Sequence, residues 1–150
     1  MVWTLAVGSA LFVSGAPAPV VKPLLEGLSR QFEEAQYFGT HRVIEKHVWG
    51  RAVQGRLVRG YGWIGERGKT LWDEGDQTPE ERGLGFRFFG ERSPDAAKEG
   101  YWAREDLSYP NEECVLRLAA AWSLDPTTLD QRFQMPGLGV LGKLPQQAAL

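Results

Sequence analysis

Apolar and polar positions alternate with different periods along the chain, and the period assigns the elements. Residues 2–13 are apolar apart from Thr4, Gly8 and Ser9. Trp3, Leu5 and Val7 would share one face of an extended chain and Val2, Thr4 and Ala6 the other. This predicts a buried β-hairpin, 2–7 against 10–13, around Gly8-Ser9. The same run followed by Ala16-Pro17-Ala18 has the outline of a secretory signal. No Lys or Arg precedes it, however, and Pro19 suits a processing site poorly, so the hairpin is the preferred reading.

From 23 to 34 the period becomes helical, with Leu25, Leu28 and Phe32 on one face and Pro23 in the first turn. Residues 36–73 then read as an antiparallel meander. Tyr37-Phe38 opens it, and strands follow at 41–53, 56–64 and 69–72, with turns at Gln54-Gly55 and Glu66-Arg67-Gly68. In the 56–64 strand, Leu57, Arg59, Tyr61 and Trp63 alternate with Arg56, Val58, Gly60, Gly62 and Ile64. The paired glycines leave room for a helix, a backbone or a ligand to approach closely.

Thr78-Pro79, Ser93-Pro94 and Asp125-Pro126 each place a capping side chain before a proline, a helix-start signal. Glu81, three residues after Thr78, completes a capping box. Leu84, Phe86 and Phe88 alternate as a strand would. A helix over 112–123 has Asn111 as its cap and Val115, Leu118, Ala119 and Trp122 as its buried stripe. Residues 131–150, with Pro136 and Pro145, read as an extended C-terminal tail covering the body. The pattern therefore predicts one α+β domain over 1–150. It would be a mainly antiparallel β-sheet of about five to seven strands, with two main helices packed on one face.

Composition narrows the function classes. With 17 basic and 19 acidic residues the net charge is −2, which argues against a dedicated nucleic-acid binder. A single cysteine and two histidines exclude a disulfide framework and a Cys/His-rich zinc module. The apolar N-terminal run is too short to span a bilayer, which takes about 20 residues. The chain reads as a soluble cytoplasmic protein with no membrane association and no cofactor.

Candidate chemistry is sparse. Gly60-Tyr61-Gly62-Trp63-Ile64-Gly65 matches G-x-G-x-x-G, but the glycines lie inside a strand and no helix follows, as a dinucleotide site requires. If 41–49 is one strand, His41, Glu45 and His47 share a face and become candidate catalytic or ligand-binding residues. Asp73, Glu74 or Asp76 could add a further carboxylate. The acidic loop 72–76 lacks the calcium-loop pattern. Residues 112–132 resemble the helix-turn-helix of repressor-type DNA-binding proteins. The second helix, however, carries Thr127, Thr128 and Asp130 with only Arg132, and it soon meets Pro136. Cys114, in the first turn of the 112–123 helix, reads as structural.

The unusual number is six tryptophans. Trp3 and Trp122 read as core. Trp49 and Trp63, with Arg59 and Tyr61, would form an aromatic and arginine surface centred on the sheet, the residue types enriched at interface hot spots. The leading expectation is thus a non-enzymatic protein-interaction module, of immunity- or adaptor-type, whose partner is another protein. The alternatives are a small-ligand binder or metal-dependent enzyme at His41, Glu45 and His47, and a DNA-binding regulator.

Overall fold

The computed structural model describes residues 3–129. The architecture is α+β, a four-stranded antiparallel sheet with three helices. In chain order these are α1 (Ala18–Phe32), β1 (Glu34–His41), β2 (Lys46–Val53), β3 (Arg56–Ile64), β4 (Lys69–Glu74), α2 (Pro79–Gly83) and α3 (Glu112–Trp122). The strands lie in sequence order, so the predicted meander is present. The two-residue turn at Gln54-Gly55 has positive φ at both positions, 49° and 80°, the requirement of a type I′ hairpin.

The strand count is four among the described residues, below the predicted range, because three expected strands, the two arms of the N-terminal hairpin and the 84–88 strand, do not form. Residues 3–16 hold a single 3₁₀ turn, Ser9–Leu11, and no strand. Their backbone is satisfied by side chains instead: the carbonyl of Leu11 accepts from the Tyr37 hydroxyl, and those of Val13, Ser14 and Gly15 accept from Lys46. Val7, expected in the core, is 82% exposed. Leu84, Phe86 and Phe88 do turn inward, but as a coil. Their segment meets the rest of the backbone through an isolated parallel bridge between Phe88 and Ser108.

The two main helices cover opposite faces of the sheet, not one. Trp49, Tyr61 and Trp63 point to the α3 side and pack with Phe86, Val115, Leu118 and Trp122. Val48, Ala52 and Trp72 point to the α1 side and pack with Val21, Leu25 and Ala35. The glycines of β3 explain the second layer. A methyl group at Gly60 would overlap the Trp72 ring, and one at Gly62 would lie 3.1 Å from Pro17. The space left by the glycines is filled by an indole and by the entry to α1.

Helix α1 begins five residues before the predicted start. Pro17 and Pro19 occupy its opening and Pro23 lies inside it. Its buried positions are Val21, Leu25 and Ser29, each four apart, while Leu28 and Phe32 face outward. The Ser29 hydroxyl accepts from the Gly55 amide at 2.9 Å, which ties the helix to the β2–β3 turn.

Two of the three Pro-linked caps work differently from expectation. Thr78 and Glu81 form the predicted capping box at the start of α2. Ser93-Pro94 opens only turns, and Asp125-Pro126 opens a 3₁₀ turn, Pro126–Thr128. Helix α3 follows the prediction closely, with the Asn111 side chain accepting from the Cys114 amide at 2.9 Å. The expected tail over 131–150 lies outside the described residues.

Candidate functional site

Strand register decides where the predicted site residues fall. Trp49, Arg59, Tyr61 and Trp63 do share one side of the sheet, but all four are buried, so they form no exposed surface. Helix α3 and the coil that carries Phe86 and Phe88 cover that side. Trp49 stacks on Tyr61, ring centroids 4.7 Å apart, and Trp63 lies under Tyr109 at 5.7 Å.

Arg59 joins this core to an open cleft. One irregularity in the ladder steers it. Opposite Arg51-Ala52 the ladder pairs Ala52 with Leu57 and Arg51 with Arg59, leaving Val58 as the extra residue. Leu57 therefore packs with the α1 side, and Arg59 with the other. The guanidinium Nε donates to both oxygens of Glu81 at 3.1 and 3.2 Å, and Nη1 donates to Asp73 at 2.5 Å and to the Gly75 carbonyl at 2.8 Å. Burial opposes the Arg59 charge, but the Glu81 and Asp73 carboxylates outweigh it and raise the pKa. Glu81 is fully buried and also accepts from the Trp49 indole at 3.0 Å and from the Thr78 amide at 2.7 Å. Burial likewise raises the Tyr61 phenol above its ordinary value, with Asp73 adding to the shift.

The cleft has a volume of about 510 Å³. Arg59 and Tyr61 lie at its inner wall with Phe88, Phe89 and Tyr101, while Arg87, Arg92 and Arg104 stand around it with Asp73, Asp76 and Asp95. Arg87 and Arg104 converge on one carboxylate, Asp106, at 3.0 and 2.6 Å. Arg92 donates to the Thr70 carbonyl at 3.0 Å, and Glu91 holds the Thr70 amide and hydroxyl, each at 2.9 Å. Phe89 is buried and forms the base of an aromatic group. Tyr109 lies 4.8 Å from it and Trp102 5.6 Å, and these two rings are about half exposed. The Trp102 indole N–H donates to the Ala96 carbonyl at 3.0 Å, which fixes the ring.

Trp102, Tyr109, Phe89 and the three outer arginines were not singled out in the sequence. Their segment, 86–109, holds turns and a short 3₁₀ stretch, so no periodicity marks which side chains turn outward. The density of aromatics and arginines in it was the available signal.

The second candidate set is only partly assembled. His41 ends β1, and the chain reverses through residues 42–45 before β2 starts at Lys46. The premise of a single strand through 41–49 fails because Glu45 adopts a left-handed φ of 49° in that turn. His41 is exposed and lies against Phe12, with centroids 5.5 Å apart. His47 is fully buried, with Nδ1 2.9 Å from the Thr40 hydroxyl and Nε2 3.1 Å from Glu45. Among the described residues no group of three His, Cys, Asp or Glu side chains is placed to hold a metal ion.

The helix-turn-helix reading finds α3 followed by a single 3₁₀ turn, with Asp130 and Arg132 outside the described residues. The apolar stripe of α3 is spent on the sheet, and its first turn carries Glu112 and Glu113. Glu112 is paired with Arg42 at 2.5 Å. Cys114 is half-buried, and burial raises its thiol pKa. No helix among the described residues is long and apolar enough to cross a membrane.

The sequence matches no protein-family model, no curated protein and no solved structure.

Proposed function

We propose that this chain is a non-enzymatic interaction module and that it holds a partner protein at the cleft rather than on the sheet face. The observation that carries this reading is the half-exposed pair Trp102 and Tyr109, both seated on Phe89, a ring that also lines the cleft with Arg87, Arg92 and Arg104. Tryptophan, tyrosine and arginine dominate interface hot spots because each brings a large contact area and a polar group at modest entropy cost. A ring held on a buried aromatic base loses little further freedom on binding. The sheet-centred aromatic and arginine cluster expected from the sequence serves as the support. Trp49 and Tyr61 pack beneath, and Arg59 ties the floor of the cleft to Glu81.

The cleft is mixed in charge and lined by long side chains, which fits a polypeptide surface better than an enclosed small molecule. Small-ligand pockets are mostly apolar and bury most of their ligand, whereas the Arg87 and Arg92 side chains here are more than half exposed.

The test is affinity capture from the source cells with the wild-type chain and with Trp102→Ala/Arg92→Ala, each checked for unchanged melting. One stoichiometric protein partner retained by the wild type and lost by the double variant is the expected result. A partner retained equally by both places the interface elsewhere. The absence of any partner, with a small molecule co-purifying instead, overturns the reading.

A further inference from the structure

Lys46 is fully buried, yet its ammonium meets no carboxylate among the described residues. Instead Nζ donates to three successive carbonyls, Val13 at 2.5 Å, Ser14 at 2.9 Å and Gly15 at 2.6 Å. Those three bonds use all the donors a lysine has. The Phe12 ring centroid lies 5.3 Å from the same nitrogen, within cation–π range. A buried ion without a counter-ion is expensive, and burial lowers the Lys46 pKa accordingly. The ion is retained where it fastens one segment to the sheet.

That segment has little else to hold it. Residues 4–10 are exposed, and the stretch 3–16 makes no ladder bonds. Besides Lys46, its attachments are the Tyr37 hydroxyl bond to the Leu11 carbonyl at 2.9 Å, the Phe12 ring lying against exposed His41 and the partial packing of Val13 against the α1-side core. The firm anchor comes immediately afterwards, where Pro17 is fully buried against Gly62. A segment with few buried apolar contacts and side-chain-dependent backbone bonds opens at lower free energy than the body it covers.

We propose that residues 3–15 form a strap that opens as a unit about Ala16, just before the buried Pro17, with Lys46 as its latch, and that opening presents the Lys46 amine at the end of the sheet face under α1. The closed strap hides an amine that has no other partner, so the latch doubles as a concealed cationic site.

Lysine acetylation of the full chain with an N-hydroxysuccinimide ester, read by peptide mass spectrometry, tests the proposal. In the wild type, exposed Lys69 and Lys98 should label readily and Lys46 slowly. Tyr37→Phe removes the Leu11 attachment without touching Lys46. It should raise Lys46 labelling about tenfold, the population change for one lost hydrogen bond, with the Lys98 rate and the melting temperature unchanged. Lys46→Met should make chymotryptic cleavage after Phe12 at least about tenfold faster, with the body of the fold intact. Labelling of wild-type Lys46 at the Lys98 rate would show that the strap does not close. Lys46 labelling that changes in Tyr37→Phe only in step with global unfolding would show that the strap is part of the core. Either result overturns the proposal, and if Lys46→Met does not fold, the Tyr37→Phe comparison decides.

Discussion

Replacing Glu81 by alanine removes the acceptor on which three separate elements converge. The carboxylate accepts from the Trp49 indole of β2, from Arg59 Nε of β3 and from the Thr78 amide at the start of α2. It is fully buried, so no water replaces it readily. The variant would leave a buried indole N–H and a backbone N–H unpaired, each costing about 1–3 kcal/mol. It would also leave Arg59 with Asp73 alone among its carboxylate partners. Breaking a buried pair by deleting one partner costs about 3–5 kcal/mol. Because these costs overlap in one network, the whole is set at about 4 kcal/mol rather than at their sum. For a chain of this length that corresponds to a fall in melting temperature on the order of 10 °C.

Urea unfolding followed by tryptophan fluorescence, with the slope compared between variants, gives the difference directly. Glu80→Ala is the internal control. Glu80 neighbours Glu81 in α2 but is only partly buried and lies 3.9 Å from Arg51, so it should cost less than about 1 kcal/mol. The paired variant Arg59→Met/Glu81→Leu should cost clearly less than the two single changes added, because it removes both charges together. A Glu81→Ala cost below about 1 kcal/mol, or strict additivity in the pair, would refute the idea that this network is the junction of the fold.

Gly60→Ala drives a methyl group into the Trp72 ring and should cost about 1–3 kcal/mol by denaturant titration, with the loss reduced in a Trp72→Leu background. Leu25→Ala should cost about 2–5 kcal/mol and Leu28→Ala less than about 1 kcal/mol, whereas equal burial of both would make the two costs similar; thermal melts of the pair settle it. Burial raises the Cys114 thiol, so its folded pKa lies above its unfolded one. The associated stability is fully present below the unfolded pKa and is lost as pH rises through the folded pKa. Iodoacetamide rates against pH should therefore reach their midpoint at higher pH for the native chain than in urea, and an equal or lower native midpoint would contradict this.

Legibility of the fold followed locality. The meander was readable because each hairpin carries its own turn chemistry, as at Gln54-Gly55, and α3 because Asn111 and its apolar stripe agree. Helix α1 was shifted because Pro17, Pro19 and Pro23 can each occupy a first turn. Both 25/28/32 and 21/25/29 also satisfy a helical period, and only the Gly60 and Gly62 face of β3 decides between them. The opposite placement of α1 and α3 was invisible for the same reason, since a strand apolar on both sides, such as β2, does not say which helix takes which side. At the site, period two put Leu57 and Arg59 together, and the extra residue Val58 separated them. Trp49, Arg59, Tyr61 and Trp63 are buried rather than exposed, and the sequence does not show it because the irregular segment that covers them has no period to read.

The sequential strand order has a kinetic consequence. Every strand pairs with its neighbour in the chain, so each step of sheet assembly closes only a short loop. Chains rich in such local pairings fold faster than those that must first join distant segments. The Arg59–Glu81–Trp49 junction spans a longer stretch of sequence and joins α2 to β2 and β3. The topology therefore predicts that the hairpins zip first and that the buried charge is sealed later, when α2 docks.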